Sequence, residues 1–557
     1  MNSQTDTGGK SPAIINCTQE LKITEQLQDA KNGAESRENP HYNTYAKAPK
    51  AAYEFATSDT LLAAASLILG FLFWQWNGFA AYKSGQLGLF LFFILAISVS
   101  LIYMKSRGIR QNKKSLTVLA VALIGALPFA LYDGIPINFY LLIFEFAACL
   151  IWLAYSCKTE ISGKLSGFIL GDWANQFFCV PFCNFAALFG SIFRRANRGS
   201  RRSKVVLSGA VGIVISIPLL ILIVTLLISA DRGFEYFTSH IADYLNIEHL
   251  GQYILKFVLG IPVACYICGA LYGNAHKRMT SNMSEADLAQ GIAKAHGLPR
   301  AGVIAPIAIL NLLYVVFFSV MGSYLFSAFG GSLPTGYTYA EYARQGFFEL
   351  CGVAAINLIV LAAAYLFARR SAGEYPKSLR ILTAVLSGLT VLLIATAISK
   401  MLMYVETYGL SRLRVYTLWF MVLLILVFIT LIVWHIKPFN AGRPIVLIAV
   451  AFTLALFLSN SDGFIAKYNV EHYESGRLKT IDVEMLGYMS DAVLPYLREL
   501  GENAPDADVR GMAKRGIESH RERYYSYSDE YGKGAYVDES KRFHCWNLQS
   551  AYYSGIR

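Results

Sequence analysis

Two long apolar runs joined by a short polar hairpin constrain this chain more than any other feature. The first, Ile381–Tyr404, carries Lys400 as its only charge; the second, Val415–His435, is nearly all Leu, Ile, Val, Phe and Trp. At 1.5 Å of rise per residue, each helix is long enough to cross a hydrocarbon layer of about 30 Å. A water-soluble fold has no place for two such rods side by side. The composition agrees: 55% of residues are hydrophobic, 16% are charged, and the mean hydropathy is +0.41.

Similar runs occur at Thr60–Ala80, Leu87–Met104, Leu116–Tyr132, Ile137–Tyr155, Val205–Ala230, Tyr253–Tyr272, Val303–Phe329, Phe347–Ala368 and Ile445–Leu458. The expected fold is therefore all-α: a polytopic helical membrane bundle of about eleven transmembrane helices. Residues 1–58 read as a flexible cytosolic N-terminal tail, 59–459 as the transmembrane helical domain, and 460–557 as an extracytoplasmic C-terminal segment. Within that segment, Val483–Leu500 is expected as one helix stopped by Gly501, followed by a weaker helix at Val509–Tyr525.

The net charge of +11 raises the question of a nucleic-acid partner, and its location argues against one. Both ends are close to balanced, so the positive excess lies between the spans. With the N-terminus inside, inner loops hold about 23 Lys and Arg and outer loops about 5, as the positive-inside rule demands. That orientation makes this a multi-pass membrane protein with a cytosolic N-terminus and an extracytoplasmic C-terminus. The loop Leu165–Phe193 reads as an interfacial or re-entrant helix. Beyond it the basic run Arg194, Arg195, Arg198, Arg201, Arg202 and Lys204 anchors the chain on anionic lipid.

Candidate chemistry is confined to polar groups inside the spans, because burying a charge in hydrocarbon costs several kcal/mol unless it is paired or wetted. Glu145, Lys256 and Lys400 all fall at the midplane or in the outer half. A Glu145–Lys400 or Glu145–Lys256 pair lies within reach of a Lys stem. Asn311 and Asn357 lie within further spans, where interhelical hydrogen bonding is the default and a cavity wall the alternative. Glu406, Tyr408, Arg412 and Arg414 form a polar cluster in the hairpin. Its arginines need acidic partners, with Glu406 and Asp462 the candidates, so a structural clasp is expected there.

No phosphate loop, His-Glu-x-x-His or Gly-x-Ser-x-Gly motif is present. Cys265 and Cys268 have redox-like spacing but sit inside a span with no second ligand pair. No catalytic residue, metal site or cofactor is expected. The leading expectation is a non-enzymatic membrane protein whose polar cavity transports or senses a small solute or ion. The alternatives are an envelope scaffold or signalling protein that meets a protein partner through its C-terminal cap, and a lipid- or glycan-modifying membrane enzyme.

Several stretches carry a resemblance. Tyr404-Val405-Glu406-Thr407-Tyr408-Gly409-Leu410-Ser411-Arg412-Leu413-Arg414, followed by Leu418-Trp419-Phe420-Met421-Val422, resembles the signature of a bacterial polytopic membrane family. That family is catalogued as domain of unknown function forty-one seventy-three, with a close relative, forty-one fifty-three. The stretches Ser229–Phe234, Asp462–Val470 and Asp482–Asp491 resemble its other elements. The resemblance implies a bacterial cytoplasmic-membrane protein and carries over no catalytic residue.

Overall fold

The computed structural model describes residues 55–77, 86–132, 138–161, 169–197, 223, 247–280, 290, 298–326, 347–369, 375–437, 439–523, 525–528, 535–538 and 546–553. Most of the expected N-terminal tail, the expected span Val205–Ala230 and the basic side chains from Arg194 to Lys204 lie outside the described residues.

The chain is an all-α polytopic bundle. Among the described residues, ten helices are long and apolar enough to cross a membrane, or eleven if one bent pair counts as a span. In chain order the membrane helices begin with α1 (Thr57–Asn77), α2 (Gln86–Ser106), α3 (Lys113–Leu131) and α4 (Asn138–Cys157). A broken helix follows, built from α5 (Ile169–Ala174), a π-helical turn (Asn175–Cys179), α6 (Val180–Cys183) and α7 (Ala187–Asn197). Then come α8 (Ile247–Ala275), α9 (Arg300–Phe326), α10 (Phe347–Phe367), α11 (Lys377–Tyr408), α12 (Arg412–Ile436) and α13 (Gly442–Leu458).

The stretch expected as an interfacial or re-entrant helix, Leu165–Phe193, contains Gly171–Phe193, which has the length and hydropathy of a span but is broken at Asn175–Cys179 and again after Cys183. Its Asp172, Asn175, Pro181 and Asn184 interrupt the apolar pattern and make it read as a loop. In the fold all four are buried within the broken helix, with Asn184 in the turn after α6, and the hydrogen-bond ladder shifts at the π turn.

Two groups of helices carry the membrane part. In the first, α1 to α4, the broken helix and α8 share cores around Ala63, Phe92, Phe129, Trp152, Cys268 and Leu271. In the second, α9 to α12 pack around Ile307, Leu386, Leu393 and Phe428. Helix α13 packs against both α12 and α3.

Lipid tails are as apolar as the side chains, so burial alone cannot drive helices together inside a bilayer; close packing must. The closest approach is that of α1 and α8. A Cβ on Gly260 would stand 2.7 Å from the carbonyl carbon of Gly70, and a Cβ on Gly70 would collide with the Gly260 carbonyl oxygen. The Trp74 indole N–H donates to the Leu259 carbonyl at 2.8 Å and fixes the same contact.

Beyond α13 the chain bends by 64° into α14 (Ser461–Glu474). The cap continues through α15 (Val483–Gly487), a 3₁₀ turn (Asp491–Val493), α16 (Leu494–Asn503) and α17 (Ala507–Arg523). A two-stranded antiparallel ribbon, Tyr525–Ser528 with Ala535–Asp538, and α18 (Leu548–Tyr553) complete the described part. The stretch expected as one helix is split at Tyr488–Ser490. Gly501 is buried within α16 and does not end it.

Replacing Gly260 with Ala is expected to push α1 from α8 and to cost about 1–3 kcal/mol, the usual penalty for overpacking a tight contact. Equilibrium unfolding of the full chain in mixed micelles measures it.

Candidate functional site

Glu145 lies in the middle of α4, where its side chain faces α3. Its residue is 0% exposed. The Cys149 thiol, one turn along the helix, reaches Glu145 Oε1 at 3.7 Å, and Oε2 has no hydrogen-bond partner. Gly125 makes the slot: a Cβ there would stand 2.6 Å from Oε2. Cys149 also borders a cavity of about 70 Å³ between α2, α4 and α8, lined by Phe92, Phe146, Trp152 and Tyr266 among others. The carboxyl therefore sits in an apolar, aromatic setting with a thiol as its one donor.

The expected partners of Glu145 stand elsewhere. Lys256, near the start of α8, donates to Gln75 Oε1 at 3.1 Å and lies 5.6 Å from the centre of the Tyr253 ring. Lys400 is 2% exposed and belongs to α11 in the second group of helices. It shares a helix face with Leu393 and Ala397 at i, i+4, i+7 spacing. No ion pair joins Glu145 to either lysine among the described residues, so the expected trio is corrected to three separate environments. Reach along the membrane normal was compatible with pairing; which helices are neighbours was not readable from single spans.

The two asparagines act between helices. Asn357 accepts from the Tyr314 hydroxyl of α9 at 2.7 Å and donates to Thr390 of α11 at 2.9 Å. Asn311 donates to the Leu382 carbonyl of α11 at 2.9 Å. They belong to a polar line along α11 that the sequence reading missed. Thr383 continues it to the Tyr365 hydroxyl, and Tyr365 to His435 Nδ1, at 2.9 and 2.8 Å. Thr383, Ser387 and Thr390 at helical spacing were the available signal. A second missed network surrounds Asp59 at the start of α1. Its carboxylate accepts from the Tyr103 hydroxyl at 2.7 Å and from the Arg107 guanidinium at 2.5 Å, with His276 3.5 Å away.

The hairpin cluster is a clasp. Arg412 meets Asp462 through two parallel hydrogen bonds of 2.7 and 2.6 Å, and the Ser490 N–H adds a third to Asp462 at 2.9 Å. Such a fork is the strongest carboxylate recognition a side chain offers. Asn469 binds the Leu410 N–H at 2.6 Å and its carbonyl at 2.8 Å. Gly409 turns beside it with φ +75°, in the left-handed region, where a Cβ would stand 2.5 Å from Asn469 Oδ1. Val405 and Leu410 insert into the core of the cap. Arg414 stacks over Tyr404 at 4.2 Å and donates to the carbonyls of Tyr408 and Gly409. Glu406 is exposed and makes no ion pair among the described residues; Asp462 is the partner of Arg412.

A family profile described as a domain of unknown function, DUF4153, matches residues 118–500. The chain belongs to this family. Of the two relatives named on sequence resemblance, the match is to the second. No curated protein and no solved structure matches the chain. The DUF4153 region begins within α3 and ends in α16, so it contains Glu145, both asparagines, Lys400 and the whole clasp, and excludes α1 and α2.

Arg412→Ala leaves the nearly buried Asp462 without its cation and is expected to loosen the cap by about 3 kcal/mol. The readout is limited proteolysis: cleavage after residue 460 should accelerate while the membrane portion stays intact.

Proposed function

We propose that this DUF4153 protein moves or senses a proton or a small cation in the bacterial inner membrane, with Glu145 as the group that takes it up. The supporting observation is a carboxyl that is wholly buried in a membrane helix and has one oxygen without a partner. Ionisable groups at such depth are rare and mark ion or proton pathways, because hydrocarbon penalises them by several kcal/mol. The Cys149 thiol offers a weak hydrogen bond, which leaves Glu145 receptive to an incoming proton or cation. Lys256 and Lys400 have no role as its counter-charges in this reading.

The orientation proposed with it puts the N-terminus in the cytosol and the cap outside. Its support is the loop charge, about 23 basic residues against about 5. With Gly171–Phe193 read as a re-entrant helix that enters and leaves on the inner side, the run Arg194–Lys204 faces the cytosolic leaflet, whose anionic lipids attract such a segment. A second reading, an envelope scaffold or signalling protein, draws on the cap: it is clamped to the hairpin by Arg412 and carries Tyr488 and Tyr552 on its exposed surface.

The test is proton movement in liposomes that hold the purified full chain and a trapped pH dye, under an imposed potassium diffusion potential. Wild type should change the internal pH faster than empty liposomes, and Glu145→Gln should reduce the rate to that of empty liposomes. Equal rates in wild type and the variant would remove Glu145 from the mechanism. A wild-type rate no faster than that of empty liposomes would favour the cap reading.

A further inference from the structure

The short helix α18 is built inside out. Asn547, which precedes it, and Gln549 and Ser550 within it are buried, at 0, 6 and 6% exposure. Trp546, Leu548 and Tyr552 are turned outward, at 40, 52 and 78%. A helix that faces water arranges these residue types the other way round. The polar side holds α18 in place. The Ser550 hydroxyl donates to Asp491 Oδ2 at 2.8 Å, and the other oxygen of that carboxylate meets His520 Nδ1 at 3.1 Å. Asn547 Oδ1 accepts from the Ser550 N–H at 2.7 Å, and Gln549 Nε2 donates to Asn460 Oδ1 at 3.2 Å. These bonds leave Leu548 and Tyr552, one turn apart, on the outward face. Residues 546–553 carry no charge.

The place of α18 in the fold says which medium that face meets. Asn460, its partner, lies just past the end of α13 at Leu458. The Leu458 carbonyl accepts from the Tyr132 hydroxyl, just past the end of α3, at 2.5 Å. Helix α18 also packs against α3 itself. It is therefore fastened where two spans end. The headgroup layer extends about 5–7 Å beyond the hydrocarbon on each side, so a helix lying at the ends of spans falls within it. Trp and Tyr, with an apolar ring and a polar edge, are the side chains this layer favours.

We propose that the outward face of α18 is seated in the lipid headgroup layer at this end of the bundle, with Trp546, Leu548 and Tyr552 as the inserted side chains. The cap is then held at the membrane twice, by the Arg412 clasp and by lipid. The inference rests neither on the reading given to Glu145 nor on which side of the membrane is outside.

The experiment uses the purified full chain in phosphatidylcholine vesicles. Trp546 is one of seven tryptophans, so Trp546→Phe serves as the reference and the difference in emission reports Trp546 alone. Phosphatidylcholine brominated on the acyl chain close to the headgroup should quench most of that difference, and iodide present on both sides of the membrane should quench little of it. A second variant, Tyr552→Trp placed in the Trp546→Phe chain, should regain emission that the same lipid quenches. Quenching of Trp546 by iodide and not by brominated lipid would show a helix that faces water. Quenching by neither would show a face covered by protein, here a second copy of the chain. Either result would overturn the proposal.

Discussion

A carboxyl inside hydrocarbon is the constraint on which this structure turns. Water no longer solvates it, so its surroundings must supply a cation, a donor or a proton. The fold supplies Glu145 with a thiol on one oxygen and an open slot, cut by Gly125, at the other. Three other buried polar groups are matched closely. Asp59 has three kinds of donor, Asp462 has a guanidinium fork and a backbone N–H, and Asn357 is bonded on both sides. Beside these three groups, the unmatched oxygen of Glu145 is the observation on which the proposed uptake of a proton or cation rests.

The architecture keeps that environment rigid by close contact. Gly70 and Gly260 let α1 and α8 touch at the backbone, and α8 in turn carries the broken helix through Gly269 and Gly273, where a Cβ would collide with Pro181 and Asn184. In the C-terminal part of the chain, Arg412 and Asn469 tie the hairpin to the cap, so the last membrane helices and the cap share one core. Helices α13 and α3 complete the link: the Tyr132 hydroxyl donates to the Leu458 carbonyl at 2.5 Å, beside the 64° bend into α14.

Much of this was legible before any coordinates. Long apolar runs gave the helix positions to within a few residues, because crossing hydrocarbon fixes both length and composition. The Arg412–Asp462 partnership was among the pairings expected, since an arginine in a short hairpin must find a carboxylate close by. Pairings between distant spans were not legible. Nothing in α4 or α11 alone says that Glu145 faces Gly125 and that Lys400 is buried on a helix of the second group. The broken helix was hidden for a related reason: Asp172, Asn175 and Asn184 look like loop residues until their hydrogen bonds to the turns after α4 and α8 are seen.

The separation of Glu145 from Lys256 and Lys400 can be measured chemically. An apolar carbodiimide activates a carboxyl within the membrane; an adjacent lysine would capture it as an amide cross-link, whereas a carboxyl with no amine beside it rearranges to an acylurea adduct. Peptide mass spectrometry of treated native membranes should find the adduct on Glu145. A Glu145–Lys256 or Glu145–Lys400 cross-link would contradict the separation of these groups.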